Sequence, residues 1–102
     1  MSYEPFKNDE RKAQNAEREE RRVMERAADL RYVMDNAAGR RVIHRLLTDA
    51  GVFRSSFSAD NPHETSFNEG ARNLGLKVLA EIMNVASTQY LQMLEEAKNH
   101  AN

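Results

Sequence analysis

The feature that most constrains this chain is the stretch from Glu10 to Met34, which contains neither glycine nor proline. Alanine, arginine, glutamate, lysine and glutamine dominate the stretch, and all five are strong helix formers. Asn8 or Asp9 can cap its start. The sequence therefore predicts one uninterrupted helix of roughly 40 Å, at ~1.5 Å per residue. Such a helix is longer than a bundle built from the rest of the chain can cover.

Small and apolar residues in this helix recur at alternating spacings of three and four, which is the pattern of a coiled-coil heptad seam. Glu20 interrupts the seam, and the residues between 17 and 22 carry charges of both signs. A solvated helix face and one half of a coiled coil both fit this pattern. We predict that the seam binds a neighbouring chain. Its positions are Ala13, Ala16, Val23, Ala27, Leu30 and Met34.

The pattern divides the chain into three parts. Residues 1–8 are expected to form a flexible arm because Pro5 disfavours a helix interior, and this arm either frays or docks onto a neighbouring subunit. Residues 9–36 form the long charged helix. Residues 37–102 form a helical core domain with a phenylalanine-rich loop.

A second helix is predicted from Ala37 to Ala50, capped by Asp35 or Asn36 and closed by Gly51 in the left-handed conformation. The third helix has two possible starts, at residues 61–64 or at residues 66–69. We favour a main helix from about residue 65 to 85, followed by a helix over 88–100 that either stands alone or continues the third.

These elements predict an all-α protein in which a long N-terminal helix projects from a compact helical hairpin or bundle. The apolar positions of the second and third helices are at core spacing. A patch of small residues, Gly70, Ala71 and Gly75, predicts that another helix or the loop approaches the third helix closely. The predicted packing residues are Val42, Ile43, Leu46, Leu47, Leu74, Leu79 and Ile82.

The loop and its surroundings hold three of the four phenylalanines of the chain, Phe53, Phe57 and Phe67. They either fold back over the helical core or anchor a contact with another subunit. We take these residues, together with Arg54, as a candidate partner-binding surface.

Arg40, Arg41 and Arg45 form the most basic part of the second helix, and Arg54 follows in the loop. A solvated face, an acidic protein partner and a sequence-independent contact with DNA phosphates all fit this group. The three helical arginines are therefore candidate contacts for DNA or for an acidic partner.

Several functional classes find no support in the sequence. The net charge is −1 and there is no cysteine, so no global field attracts nucleic acid and no thiolate site exists. His44, His63 and His100 lack metal-ligand spacing, and the carboxylates of the first helix lie on an exposed face. No apolar run approaches ~18 residues. We therefore expect a protein without enzymatic activity, metal or cofactor, made in a cytoplasm and without a membrane segment.

One set of segments resembles a known family. It comprises residues 29–34, Gly39 to Arg41, Leu46 with Leu47, and above all residues 51–57 and 65–75. Over about residues 27–97 the chain is similar to a family of small tailed-phage proteins that is named for a Bordetella phage member and tends to be encoded among virion structural genes.

The resemblance implies a role in the virion or in its assembly, with other virion proteins such as portal or tail components as partners. A homo-oligomer at the head–tail connection is the leading hypothesis, since small modules of this kind usually assemble into symmetric rings. An internal or ejected protein that contacts DNA and a non-virion regulator of a host protein remain alternatives.

Overall fold

The structure is a computed structural model, and it describes residues 5–54 and 62–100, with side chains from residue 7 to 54 and from 63 to 100. Four α-helices follow one another: α1 (Pro5–Met34), α2 (Ala37–Asp49), α3 (Pro62–Val85) and α4 (Ser87–His100). The described residues form no strand. The predicted all-α class is confirmed.

Two helices begin earlier than expected, and both begin at a proline. The first starts at Pro5, so residues 5–8 belong to α1 and not to an arm, while residues 1–4 lie outside the described part of the chain. The third starts at Pro62 instead of residue 65, and Glu64 lies in its first turn. Proline suits the first helical position because the N–H it lacks would have no partner there.

The start of α2 is held by its cap. The backbone of Asn36 is extended, and its side-chain oxygen accepts hydrogen bonds from the backbone N–H groups of Ala38, at 2.9 Å, and Gly39, at 3.4 Å. These bonds satisfy two donors that have no partner inside the helix. The predicted cap is therefore confirmed at Asn36.

The end of α2 is a Schellman turn. Gly51 has a φ of 84°, and its N–H donates to the carbonyl of Thr48, while the N–H of Val52 donates to the carbonyl of Leu47. Leu47 and Val52 are both buried, which is the apolar contact that accompanies this motif. The prediction that glycine closes α2 in the left-handed region is confirmed.

The core draws on all four helices and on the residue that follows the Schellman glycine. Leu30, Ile43 and Leu79 are partly buried against it. Three of the predicted packing residues face solvent instead: Val42 is 41%, Leu46 55% and Leu74 66% exposed. The buried apolar residues are Met34, Leu47, Val52, Ile82, Ala86 and Met93.

The helical register of α2 explains the errors at Val42 and Leu46. Its inward face runs through Arg40, Ile43 and Leu47, with Arg40 only 6% exposed. A charged residue thus occupies a core-facing position, and the apolar residues Val42 and Leu46 turn outward. Sequence periodicity alone assigns the arginine to the solvent face.

Most of α1 stands apart from this core. Every side chain from residue 7 to 26 is exposed, and the helix first enters the packed region at Ala27. The radius of gyration is 19.8 Å, whereas a compact domain of this size has about 13 Å. The predicted projecting helix is confirmed, although its last turns, with Leu30 and Met34, belong to the core domain.

A single residue separates α3 from α4. Ala86 is buried, its N–H donates to the carbonyl of Ile82, and its own carbonyl accepts from Tyr90. Backbone hydrogen bonding of the helical type therefore passes through the junction. The C-terminal half of the chain is a bent pair of helices against which α2 packs.

Gly75 marks the closest approach between α3 and the end of α2. A methyl group at this position would lie 2.5 Å from Cγ2 of Val52 and 2.9 Å from Cβ of Ala50. Gly70 has nothing within 4 Å of the corresponding point. The predicted close approach thus occurs at Gly75, against the residues that close α2, and not at Gly70.

We predict opposite effects for alanine at these two glycines. Gly75→Ala should lower the free energy of unfolding by about 1–2 kcal/mol, because overpacking costs more than the gain in helix propensity. Gly70→Ala should raise it by about 0.5–1 kcal/mol through helix propensity alone. Urea unfolding measures both, and equal effects at the two positions would show that Gly75 is not tightly packed.

Candidate functional site

Arg40 is the buried charged residue of the described chain, and its guanidinium joins three helices. The Nε and Nη2 atoms donate to the carboxylate of Glu96 in α4, the second bond at 3.4 Å. The Nη1 atom donates to the carbonyl oxygen of Met34, the last residue of α1, at 2.8 Å. One side chain of α2 therefore fixes the end of α1 and the second half of α4.

The chemistry of this contact is favourable at each partner. The Met34 carbonyl belongs to the last turn of α1, where carbonyl groups lack helical partners and the helix dipole favours a cation. The Glu96 carboxylate accepts two N–H groups of the guanidinium in the paired geometry that suits arginine. Both requirements of a buried cation, a counter-charge and hydrogen-bond acceptors, are met.

The expectation that Arg40 contacts DNA or an acidic partner from the surface is therefore wrong. Its guanidinium is buried and engaged within the chain. Arg41 and Arg45 remain exposed on α2, and Arg54 is exposed beyond Gly51. The basic surface is thus smaller than the sequence indicates and lies on one side of α2.

A groove lies between α2 and α4 beside this contact, with a volume of about 680 Å³. Arg40, Arg41 and His44 line it from α2. The α4 side of the groove was not predicted from the sequence, although residues 93, 96 and 97 are at helical spacing and thus share one face. The lining residues from α4 are Met93, Glu96, Ala97, Asn99 and His100.

Of the three phenylalanines of the candidate surface, the two whose side chains the structure describes are accessible. The ring of Phe53 is 47% exposed and stacks on the imidazole of His44, with centroids 5.8 Å apart. Phe67 is 75% exposed on α3. The alternative in which the phenylalanines fold over the core is therefore wrong for Phe67, and Phe57 lies outside the described residues.

The predicted heptad seam is split by the fold. Ala13, Ala16 and Val23 are exposed, with Val23 at 59%. Ala27 and Leu30 are partly buried, and Met34 is 0% exposed. Because Met34 is buried, it cannot contact a neighbouring chain. The prediction failed there because core packing uses the same residue spacing as a coiled-coil seam. The accessible seam ends near Val23.

An ion pair marks the point where α1 meets α3. Arg26 donates from Nε to Glu81 Oε2 at 3.0 Å, and these hydrogen bonds hold the pKa of the Glu81 carboxyl below its ordinary value. A lowered carboxyl pKa contributes stability above the unfolded pKa, and that contribution is lost as the pH falls through the folded value. The pair is exposed, so its contribution is small.

Neither a metal centre nor a membrane span is found in the part of the chain that the structure describes. The fold brings His44 and His100 to the same groove, yet no group of three or more His, Cys, Asp or Glu side chains there could hold a metal ion. None of the described helices is long and apolar enough to cross a bilayer.

The fold and the surfaces define a small all-helical protein with two parts. One is a packed base, which comprises residues 27–54 and 62–100, and the other is the projecting first part of α1. Comparison with protein families matches residues 30–95 to the Bbp19-like phage proteins, which is more than half of the chain. The protein therefore belongs to this family, as the sequence resemblance predicted. Neither the curated proteins nor the solved structures gave a significant match. The matched segment begins where α1 packs onto the core.

The contact at Arg40 generates a stability prediction. Glu96→Gln should lower the free energy of unfolding by about 2–4 kcal/mol, because it leaves a buried cation without its counter-charge. The neighbouring change Glu95→Gln should stay within about 0.5 kcal/mol, since Glu95 is exposed. Urea unfolding of both variants measures the difference.

A double variant tests whether the loss of stability comes from breaking the pair of Arg40 and Glu96 or from any change at residue 96. Arg40→Met combined with Glu96→Leu should be more stable than Glu96→Gln, since no charge is then left buried. The account of the contact would be contradicted if the double variant lost as much stability as Arg40→Met and Glu96→Leu lose together when each is measured alone.

Proposed function

We propose that this phage protein is a structural or assembly component of the virion that acts through protein–protein contacts at the head–tail connection, in the portal or connector region. In this proposal it forms a homo-oligomer and also binds portal or tail components. The exposed first part of α1 is the observation that carries the proposal. A helix of this kind gains most of its stability when one face is packed.

The exposed surface of the chain supports a role in assembly. Its accessible surface is 8193 Å², whereas a compact monomer of this mass exposes about 6,000 Å². The difference exceeds the roughly 800 Å² that each partner buries in a standard interface. A chain that keeps this much extra surface gains by burying it against another subunit.

Two separate surfaces would serve this assembly. The open seam at Ala13, Ala16 and Val23 pairs with a neighbouring copy, in the manner of a coiled coil. The second surface, which includes Phe53, Arg54 and Phe67, docks on a different virion protein. Aromatic and arginine side chains are the usual anchors of such contacts.

No observation favours the alternative in which the protein binds DNA. Burial of Arg40 removes one of the three arginines on which that contact would rest. The net charge of −1 also gives no overall attraction to phosphate.

The proposed location predicts the composition of purified phage particles. Quantitative mass spectrometry should find this chain at a fixed ratio to the portal protein, equal to the portal copy number or a simple multiple of it. The physical reason is that a connector follows the symmetry of the ring on which it sits. Absence from purified particles would contradict the proposal and favour an assembly factor or a host-directed protein.

The seam predicts a loss of self-association in a designed variant. Val23→Asp replaces the largest apolar residue of the open seam with a charge and should reduce the mass measured by light scattering to that of the monomer. Ala28→Asp is the matched control, because residue 28 is exposed on the other side of the same helix and should leave the mass unchanged.

Changing Leu30 would not test the seam cleanly, because that residue packs against the core. An unchanged mass for Val23→Asp, with the helical content preserved, would show that the seam is not an interface between copies.

A further inference from the structure

The groove between α2 and α4 has an apolar floor and a polar rim. Met93 is 2% exposed and lies at the floor beside Ala97. Arg41, His44 and His100 line the same groove. Its volume of about 680 Å³ falls within the range of small-ligand pockets, about 300–1,000 Å³.

The charge of the groove is positive once the internal contacts are taken into account. Glu96 is the acidic residue among its lining groups, and its carboxylate accepts two hydrogen bonds from Arg40. These two charges therefore compensate each other. Arg41 is exposed and forms no ion pair with any described side chain. Its cation is the uncompensated charge at the rim.

The groove also needs no rearrangement to accept a ligand. Arg40 ties its two walls together through Glu96 and holds the end of α1 through Met34. The stacking of Phe53 on His44 supports one side of the rim. Binding to a preformed site avoids the entropic cost of ordering it.

We propose that this groove binds a short acidic segment of a partner protein. An apolar side chain of the segment lies on Ala97, above the buried Met93, and a neighbouring carboxylate pairs with Arg41. The N–H groups of His44, Asn99 and His100 supply further hydrogen bonds to the acidic segment. The site is separate from the seam of α1, so it can fail or succeed independently of the proposed self-assembly.

The chemistry favours an acidic peptide over a nucleic acid. A phosphate backbone is bound by several cations in succession and gains nothing from an apolar floor. The groove offers one uncompensated arginine and a partly exposed alanine, Ala97, above the buried Met93. An apolar side chain next to a carboxylate matches both features at once.

Two short peptides test this proposal in ¹H–¹⁵N NMR titrations of the full chain. The probes are N-acetyl-Leu-Glu-Glu-amide and N-acetyl-Gly-Glu-Glu-amide. The leucine peptide should shift the amide signals of residues 93–100 and of Arg41 and His44. The glycine peptide should bind about tenfold more weakly, because it lacks the side chain that covers the floor.

A matched pair of variants locates the charge. Arg41→Gln should raise the Kd for the leucine peptide about tenfold. Arg45→Gln, on the same helix but outside the groove lining, should change it by less than about twofold, since an exposed charge that does not contact the peptide contributes little. Both variants should keep the dispersed spectrum of the folded protein.

Three results would overturn the proposal. The first is equal affinity for the leucine and glycine peptides, and the second is a binding constant that does not respond to Arg41→Gln. The third is a short DNA duplex that shifts the same amides at lower concentration than the leucine peptide, which would assign the groove to phosphate. Seam residues 13–23 take no part in these readouts, so none of the outcomes depends on self-association.

Discussion

The buried guanidinium of Arg40 is the interaction on which the rest of this structure depends. A cation inside a small helical protein is tolerated only when its charge and its hydrogen bonds are compensated. Here Glu96 supplies the charge and the Met34 carbonyl supplies a further acceptor. Because these partners belong to α4 and α1, the same contact sets how α1 leaves the base and how α4 packs on α2.

The molecule has two parts with different physical character. The base is held by buried apolar residues, by the Schellman turn at Gly51 and by the tight fit at Gly75. The first part of α1 has helix-forming residues and exposed side chains but no such support. The family match over residues 30–95 covers the base and leaves the projecting helix outside.

The shape of the molecule fits the proposed role in assembly. Its base contains the groove, and the exposed first part of α1 extends from this base, in a molecule 68 Å in its longest dimension. A partner bound at the groove and a partner bound to the first part of α1 would therefore occupy different parts of the molecule. A component at a junction between larger assemblies needs this separation, since it must bind different neighbours without obstruction.

Local features of the sequence predicted the fold well, because they rest on nearest-neighbour chemistry. The cap at Asn36, the glycine that closes α2 and the absence of helix breakers in α1 all act within a few residues. The register of α2 could not be predicted in the same way. Arg40 turns inward because Glu96 lies opposite it, and this partner is distant in sequence.

The candidate site was predicted less completely than the fold. The open seam and the exposed arginines Arg41 and Arg45 follow from periodicity, whereas the groove exists only once α2 and α4 pack together. Met34 shows the limit of periodicity, since its spacing fits both a seam and a core. Burial decided between them, and burial depends on contacts that a single helix does not reveal.

The central claim is that the packed base supports a helix whose residues 8–26 leave their side chains exposed to solvent. Hydrogen exchange of the isolated chain, diluted until light scattering shows a monomer, tests this claim most directly. The account predicts fast exchange for amides of residues 8–22 and strong protection for those of residues 43–47 and 79–86, which lie in the packed base. Equal protection of both regions in the monomer would contradict it, since some intramolecular contact would then have to cover α1.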